Sequence, residues 1–319
     1  MGGAEEATRR PAAVALLDEL QAAERAGADA LGQWLGCCAD PVLRGGLRVV
    51  RARDLAHAAL ATDRLRALGG EPTAAAPPRL ASLCGVIGSG QVSDRSKLAI
   101  LLARLPPPAA DPLAGIAAAL GDDAETRGMV EAMADDDGQS LRWLHAQAEA
   151  ARREDRPPAA DECTRAVAFL DAFRAAELAS ADVFAAWADV TPLAGLRGSL
   201  RVVAAREAAH ATLCDERLRE LGATPRAALA AGARAAACAR FADPARPDGD
   251  KLVAFLGRFA GPDAAAAPIT ALAESLADDL ETATLLELVA AAERTTVRAL
   301  TVWRLSLAGR RPERARVAS

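Results

Sequence analysis

The chain has no tyrosine, and aromatic residues make up only 3% of its 319 positions. A core without aromatic bulk must be filled by aliphatic residues. Here much of the apolar half of the composition is alanine, the strongest helix former. The β-branched runs that mark strands are scarce as well, so the composition predicts an all-α protein. No uninterrupted apolar run approaches the roughly 20 residues needed to cross a bilayer. The first ten residues carry Glu5 and Glu6 and lack the basic-then-apolar pattern of an export signal. The six cysteines (Cys37, Cys38, Cys84, Cys163, Cys214 and Cys238) show no CxxC spacing. They read as free thiols in a reduced, cytoplasmic protein. The 38 basic and 43 acidic residues give a formal charge of −5 and are interspersed, without the basic stripe of a nucleic-acid binder. The run Arg310, Arg311, Arg314 and Arg316 reads as a solvated tail.

Lysine is almost absent too. Lys97 and Lys251 are the only two, and they occupy matching places in an internal repeat. Residues 17–72 align without a gap on 170–225, with 28 of 56 positions identical. Glu24, Trp34, Arg53 and His57 recur as Glu177, Trp187, Arg206 and His210, and Asp54 recurs as Glu207.

Each half reads the same way. A first helix is predicted over about 14–36 and 167–190, and a second over 43–68 and 196–221. The second ends in Leu68-Gly69 or Leu221-Gly222 with Pro72 or Pro225 beyond, a left-handed cap followed by a breaker. A long connection rich in Ala, Pro and Gly leads to a short helix opening at Asp94 or Asp248. A Pro-rich bend follows (Pro106 to Pro108; Pro262 to Pro268), then a long last helix, 122–150 or 278–306. Residues 153–161, with Pro157 and Pro158, read as a linker between domains at 12–152 and 163–309. Four helices with a long crossover between the second and third have the connectivity of one class of four-helix bundle.

Steps of three and four residues trace the buried face of each helix. In every long helix an acid interrupts an apolar stripe at mid-length: Glu24 and Glu177 in the first, Asp54 and Glu207 in the second, Asp137 and Glu293 in the last. His57 and His210 follow three residues after the second-helix acid, on the same face. A lone buried carboxylate is costly, whereas three acids and a histidine meeting between helices can share a cation.

This pattern resembles the ferritin-like, rubrerythrin-type di-iron carboxylate family, in which two helices give a glutamate each and two give Glu-x-x-His. The resemblance spans most of the chain, twice. It matches Glu24 and Glu177 to the first-helix glutamate. Glu207-Ala-Ala-His210 fits the second-helix motif intact, and Asp54-Leu-Ala-His57 fits it with a shorter acid. Asp137-x-x-Ser140 and Glu293-x-x-Thr296 fit the last-helix motif with its histidine replaced. The third-helix glutamate has no clear counterpart unless Asp94 and Asp248 serve, and both read better as N-terminal caps. The resemblance implies two tandem ferritin-like four-helix bundles packed as a pseudo-dimer within one chain. It also implies iron bound for oxygen or peroxide chemistry, and the absence of tyrosine excludes a tyrosyl radical. By ligand type, His, Asp and Glu without thiolate suit iron, manganese or zinc.

The second half (Glu177, Glu207, His210, Glu293) keeps the longer acids and is the better candidate site. The first half offers Glu24, Asp54, His57 and Asp137. Lys97 and Lys251 are placed to compensate carboxylate charge in the core or to pair with a helix start. Trp34 and Trp187 read as core anchors, Arg53 and Arg206 as solvated or helix-bridging ion pairs, and His145 has no assigned role. The competing reading is a non-catalytic helical scaffold or interaction protein whose polar core is degenerate. A bundle holding a small organic ligand is the third.

Overall fold

Residues 2–105, 120, 123–150 and 157–309 are described in this computed structural model, with side chains from residue 13 onward, Ala231 excepted. The described residues form eleven helices and no strand. In the first half these are α1 (Gly2–Leu35), α2 (Pro41–Ala67), α3 (Pro78–Ile87), α4 (Asp94–Leu102) and α5 (Ala124–Glu149). The second half has α6 (Ala160–Val190), α7 (Ala194–Glu220), α8 (Ala231–Ala242), α9 (Asp248–Leu256), α10 (Pro262–Ser275) and α11 (Leu280–Gly309).

The long helices stop where local chemistry stops them. Asp40 caps α2 by accepting from the backbone N–H groups of Val42 and Leu43, with Pro41 at the first helical position. Gly69 and Gly222 take positive φ, 81° and 76°, just past α2 and α7, as the Leu-Gly reading anticipates. The connections hold more helix than their composition suggests. Helices α3 and α8 fall inside the stretches read as irregular, and α10 runs through the second-half bend with Pro262 in its first turn and Pro268 inside it. Pro262 needs no N–H there. Ala266, Ile269 and Ala273 bury into the cluster that holds Leu285 and Val289, so tertiary packing outweighs the cost of Pro268. The bend at Pro106 to Pro108, residues 153–156 of the linker and the basic tail lie outside the described residues.

The two halves meet along α2, α5, α7 and α11, and their contacts repeat with exchanged roles. Glu281 at the start of α11 takes Arg44 (2.9 Å) and Arg48 (2.6 Å) of α2 and lies 3.6 Å from Arg217 of α7. Glu125 at the start of α5 takes Arg197 (3.1 Å) and Arg201 (3.3 Å) of α7 and Arg64 (3.2 Å) of α2. The backbones come close enough to require glycine. A Cβ at Gly45 would strike the Glu281 carbonyl, and one at Gly198 the Glu125 carbonyl. Val49 joins the core of the second half and Val202 that of the first. In each half the apolar core splits into two clusters, one around Trp34 or Trp187 and one around Leu17 or Leu170. The mid-helix polar residues lie between them.

Candidate metal centre

In the first half Glu24 of α1, His57 of α2 and Asp137 of α5 place one ligand atom each within 4.8 Å of one another. In the second, Glu177 of α6, His210 of α7 and Glu293 of α11 do the same. His57 Nδ1 is 3.4 Å from Asp137 Oδ1 and 3.9 Å from Glu24 Oε1. His210 Nδ1 is 3.1 Å from Glu177 Oε2 and 3.4 Å from Glu293 Oε1. Three of the four residues expected in each half therefore converge. The fourth, Asp54 or Glu207, is packed beside its group, with Glu207 hydrogen-bonded to Glu177. Asp54 Oδ2 fits against Gly27, whose Cβ would come within 3.1 Å of it, and Glu207 Oε1 is buried without a hydrogen bond among the described residues.

The electrostatics are those of crowded acids out of water. Burial, then Asp54 and Asp137, push Glu24 well above the usual carboxyl range. Burial and Asp137 bring Asp54 up to about 7. In the second half, burial followed by Glu207 and Glu293 raises Glu177 strongly, and burial with Glu293 takes Glu207 up to about 8. Burial works against a charged His57, yet Asp136, Asp137 and Glu24 outweigh it and hold its pKa well above the ordinary imidazole value.

Each group combines carboxylate oxygens and one imidazole nitrogen without thiolate, a donor set suited to iron, manganese or zinc. Glu207 Oε1, Glu293 Oε1 and His57 Nδ1 are buried with no hydrogen bond among the described residues. The residues fit a divalent ion, which would take up the charge that crowding now suppresses.

Asp136, which single-helix faces do not point to, joins the halves. It accepts from Arg206 of the opposite half at 3.2 Å (Nε) and 3.0 Å (Nη2), and it lies 3.4 Å from His57 Nε2. A carboxylate on the far nitrogen of a ligating histidine fixes ring and tautomer. Burial alone would raise Asp136, but Arg206, His57 and Arg53 hold it below the usual carboxylate range. Arg53 donates to Ser140 Oγ (3.0 Å) and Gln139 Oε1 (3.4 Å) and to the main-chain carbonyls of Asp136 and Leu288 (both 3.4 Å), while Arg206 donates to Thr296 Oγ1 at 2.8 Å. Both arginines bridge helices, but they are buried rather than solvated.

The remaining candidates fall elsewhere. Lys97 and Lys251 are each 1% exposed. Lys97 Nζ sits 3.1 Å from Cys37 Sγ and 5.5 Å from the centre of the Trp34 ring, away from the acids. Among the described residues neither lysine forms an ion pair with the clusters. Asp94 and Asp248 are not caps: Ser93 caps α4, and the aspartates accept the indole N–H of Trp34 and Trp187, each at 2.7 Å. Both tryptophans are fully buried anchors, as expected. Comparison with family models, curated proteins and solved structures found no match.

Proposed function

We propose that this chain is a divergent ferritin-like metal-binding protein, two four-helix bundles fused as an internal pseudo-dimer, each able to hold a divalent ion. The observation that carries the reading is the convergence, in each half, of two acids from two helices on a buried histidine of a third. Glu24, His57 and Asp137 would hold one ion, with Asp54 beside them. Glu177, His210 and Glu293 would hold the other, with Glu207 beside them. An iron ion there would supply oxygen or peroxide chemistry. The chain's own part is to position the ion, keep water from it, and release the protons that Glu24, Asp54, Glu177 and Glu207 retain without it.

One observation favours a second reading, a non-catalytic scaffold. Ser140 and Thr296, standing where the resemblance places histidines, each hold an arginine of their own half, Arg53 and Arg206, and these arginines reach across to Leu288 and Asp136 of the other half.

Metal content separates the two. Protein purified from iron- and manganese-supplemented cells is expected to carry about one to two ions per chain by mass spectrometry. Glu207→Ala/His210→Ala should remove the second-half share. An ion-free wild type, with the double variant folded but less stable, would leave the scaffold standing.

A further inference from the structure

Cys37 and Lys97 meet just past the end of α1. Lys97 Nζ is 3.1 Å from Cys37 Sγ, and among the described residues the sulfur is its only hydrogen-bond acceptor. The lysine is 1% exposed, and its ammonium otherwise faces the Trp34 ring, 5.5 Å from its centre. A buried ammonium that no carboxylate pairs with is costly. The sulfur in turn lies 3.3 Å from the Trp34 carbonyl and 3.6 Å from that of Gln33, which fix its place. Cys37 is exposed and lines a cleft between the halves with Asp94, Leu276 and Thr284, so small solutes reach it. Its neighbour Cys38 does not compete for it. That thiol is buried, donates to the Asp40 carbonyl at 3.6 Å, and is pushed up to about 12 by burial.

We propose that Cys37 and Lys97 form a covalent modification site, joined by dioxygen into a bridge in which one oxygen atom links sulfur to nitrogen. The contact distance favours this link over a direct sulfur–nitrogen bond, because inserting an oxygen atom needs only a slight closing of the 3.1 Å gap. Dioxygen takes four electrons, two from the sulfur and two from the nitrogen. One of its oxygen atoms becomes the bridge. The thiol gives up one hydrogen and the ammonium two; two of these leave with the other oxygen as water, and the third goes to solvent as a proton. The product is neutral, so the reaction removes the buried charge, and it ties the end of α1 to α4 beside Trp34. In the second half Val190 holds the place of Cys37, so Lys251 is an internal control that keeps its amine. The pair is independent of any metal in the carboxylate clusters.

Peptide mass spectrometry on the full chain, kept in reductant under nitrogen or held in air-saturated buffer, tests the assignment. Aeration should link the peptide carrying Cys37 to the one carrying Lys97, heavier than the two together by one oxygen less two hydrogens. Iodoacetamide should then leave Cys37 unlabelled, and the thermal midpoint should rise by about 3–6 °C. Lys97→Met keeps the buried stem without the amine, so its Cys37 should stay open to the label after aeration. Aerated wild type with Cys37 fully labelled would overturn the proposal, as would a sulfinic acid at Cys37 or a Cys37–Cys38 disulfide in place of the bridge. If Lys97→Met does not fold, the linked mass in the wild type decides.

Discussion

At the residue scale the structure turns on Asp136, because two buried arginines depend on it. Asp136→Ala leaves Arg206 without a counter-charge and should cost about 3–5 kcal/mol in urea unfolding. Adding Arg206→Met should recover part of that loss, a coupling that a double-mutant cycle reads directly. The crowded acids predict a pH dependence. Free carboxyls titrate near pH 4, while Asp54 and Glu207 hold their protons in the fold to about 7 and about 8. Their folded values are raised, so their contribution to stability is complete below about pH 4 and is lost as pH climbs through 7 to 8. Ion-free protein should therefore be less stable at pH 9 than at pH 5 by denaturant midpoint, and Glu207→Gln should flatten the change. The acids and histidines were legible because each interrupts an apolar stripe at helical spacing. Asp136 was not, because it precedes Asp137 and faces a different neighbour. Its partners, Arg206 across the interface and His57 of its own half, come together only in the fold.

At the scale of elements, the paired helices α2 with α11 and α7 with α5 approach through glycine. Gly198→Ala must push Glu125 away and should destabilise by about 1–3 kcal/mol, read as a lower thermal midpoint. Gly222→Ala tests a different constraint, a positive φ with open space around it, and should cost about 1 kcal/mol from backbone conformation alone. Both ends of α2 and α7 and the starts of α4 and α9 were legible to within two residues, since Leu-Gly pairs and acidic first turns mark them. Helices α3, α8 and α10 were not. Proline and glycine argue locally for irregular chain, and in α10 it is burial of Ala266, Ile269 and Ala273 against α11 that decides otherwise. Asp94 and Asp248 misled for a related reason: each looks like a cap locally, but its partner is a tryptophan some 60 residues away in sequence.

For the molecule as a whole, the exchange of side chains across the repeat predicts one cooperative transition in calorimetry rather than two. Glu125→Ala/Glu281→Ala removes the acids that gather arginines at both ends of the contact, and it should weaken that cooperativity and broaden the transition. Symmetry also bears on charge. Two identical chains meeting about a twofold axis contribute every residue in pairs, so the ionisable side chains they bury across that axis are even in number. The buried trio Arg53, Arg206 and Asp136 has two copies of the arginine and only one of the aspartate. Fusion of the halves into one polypeptide lifts that parity rule, because a substitution can then fall on one copy and spare the other. A centre with a single aspartate between two arginines is open to a tandem chain and closed to any homodimer.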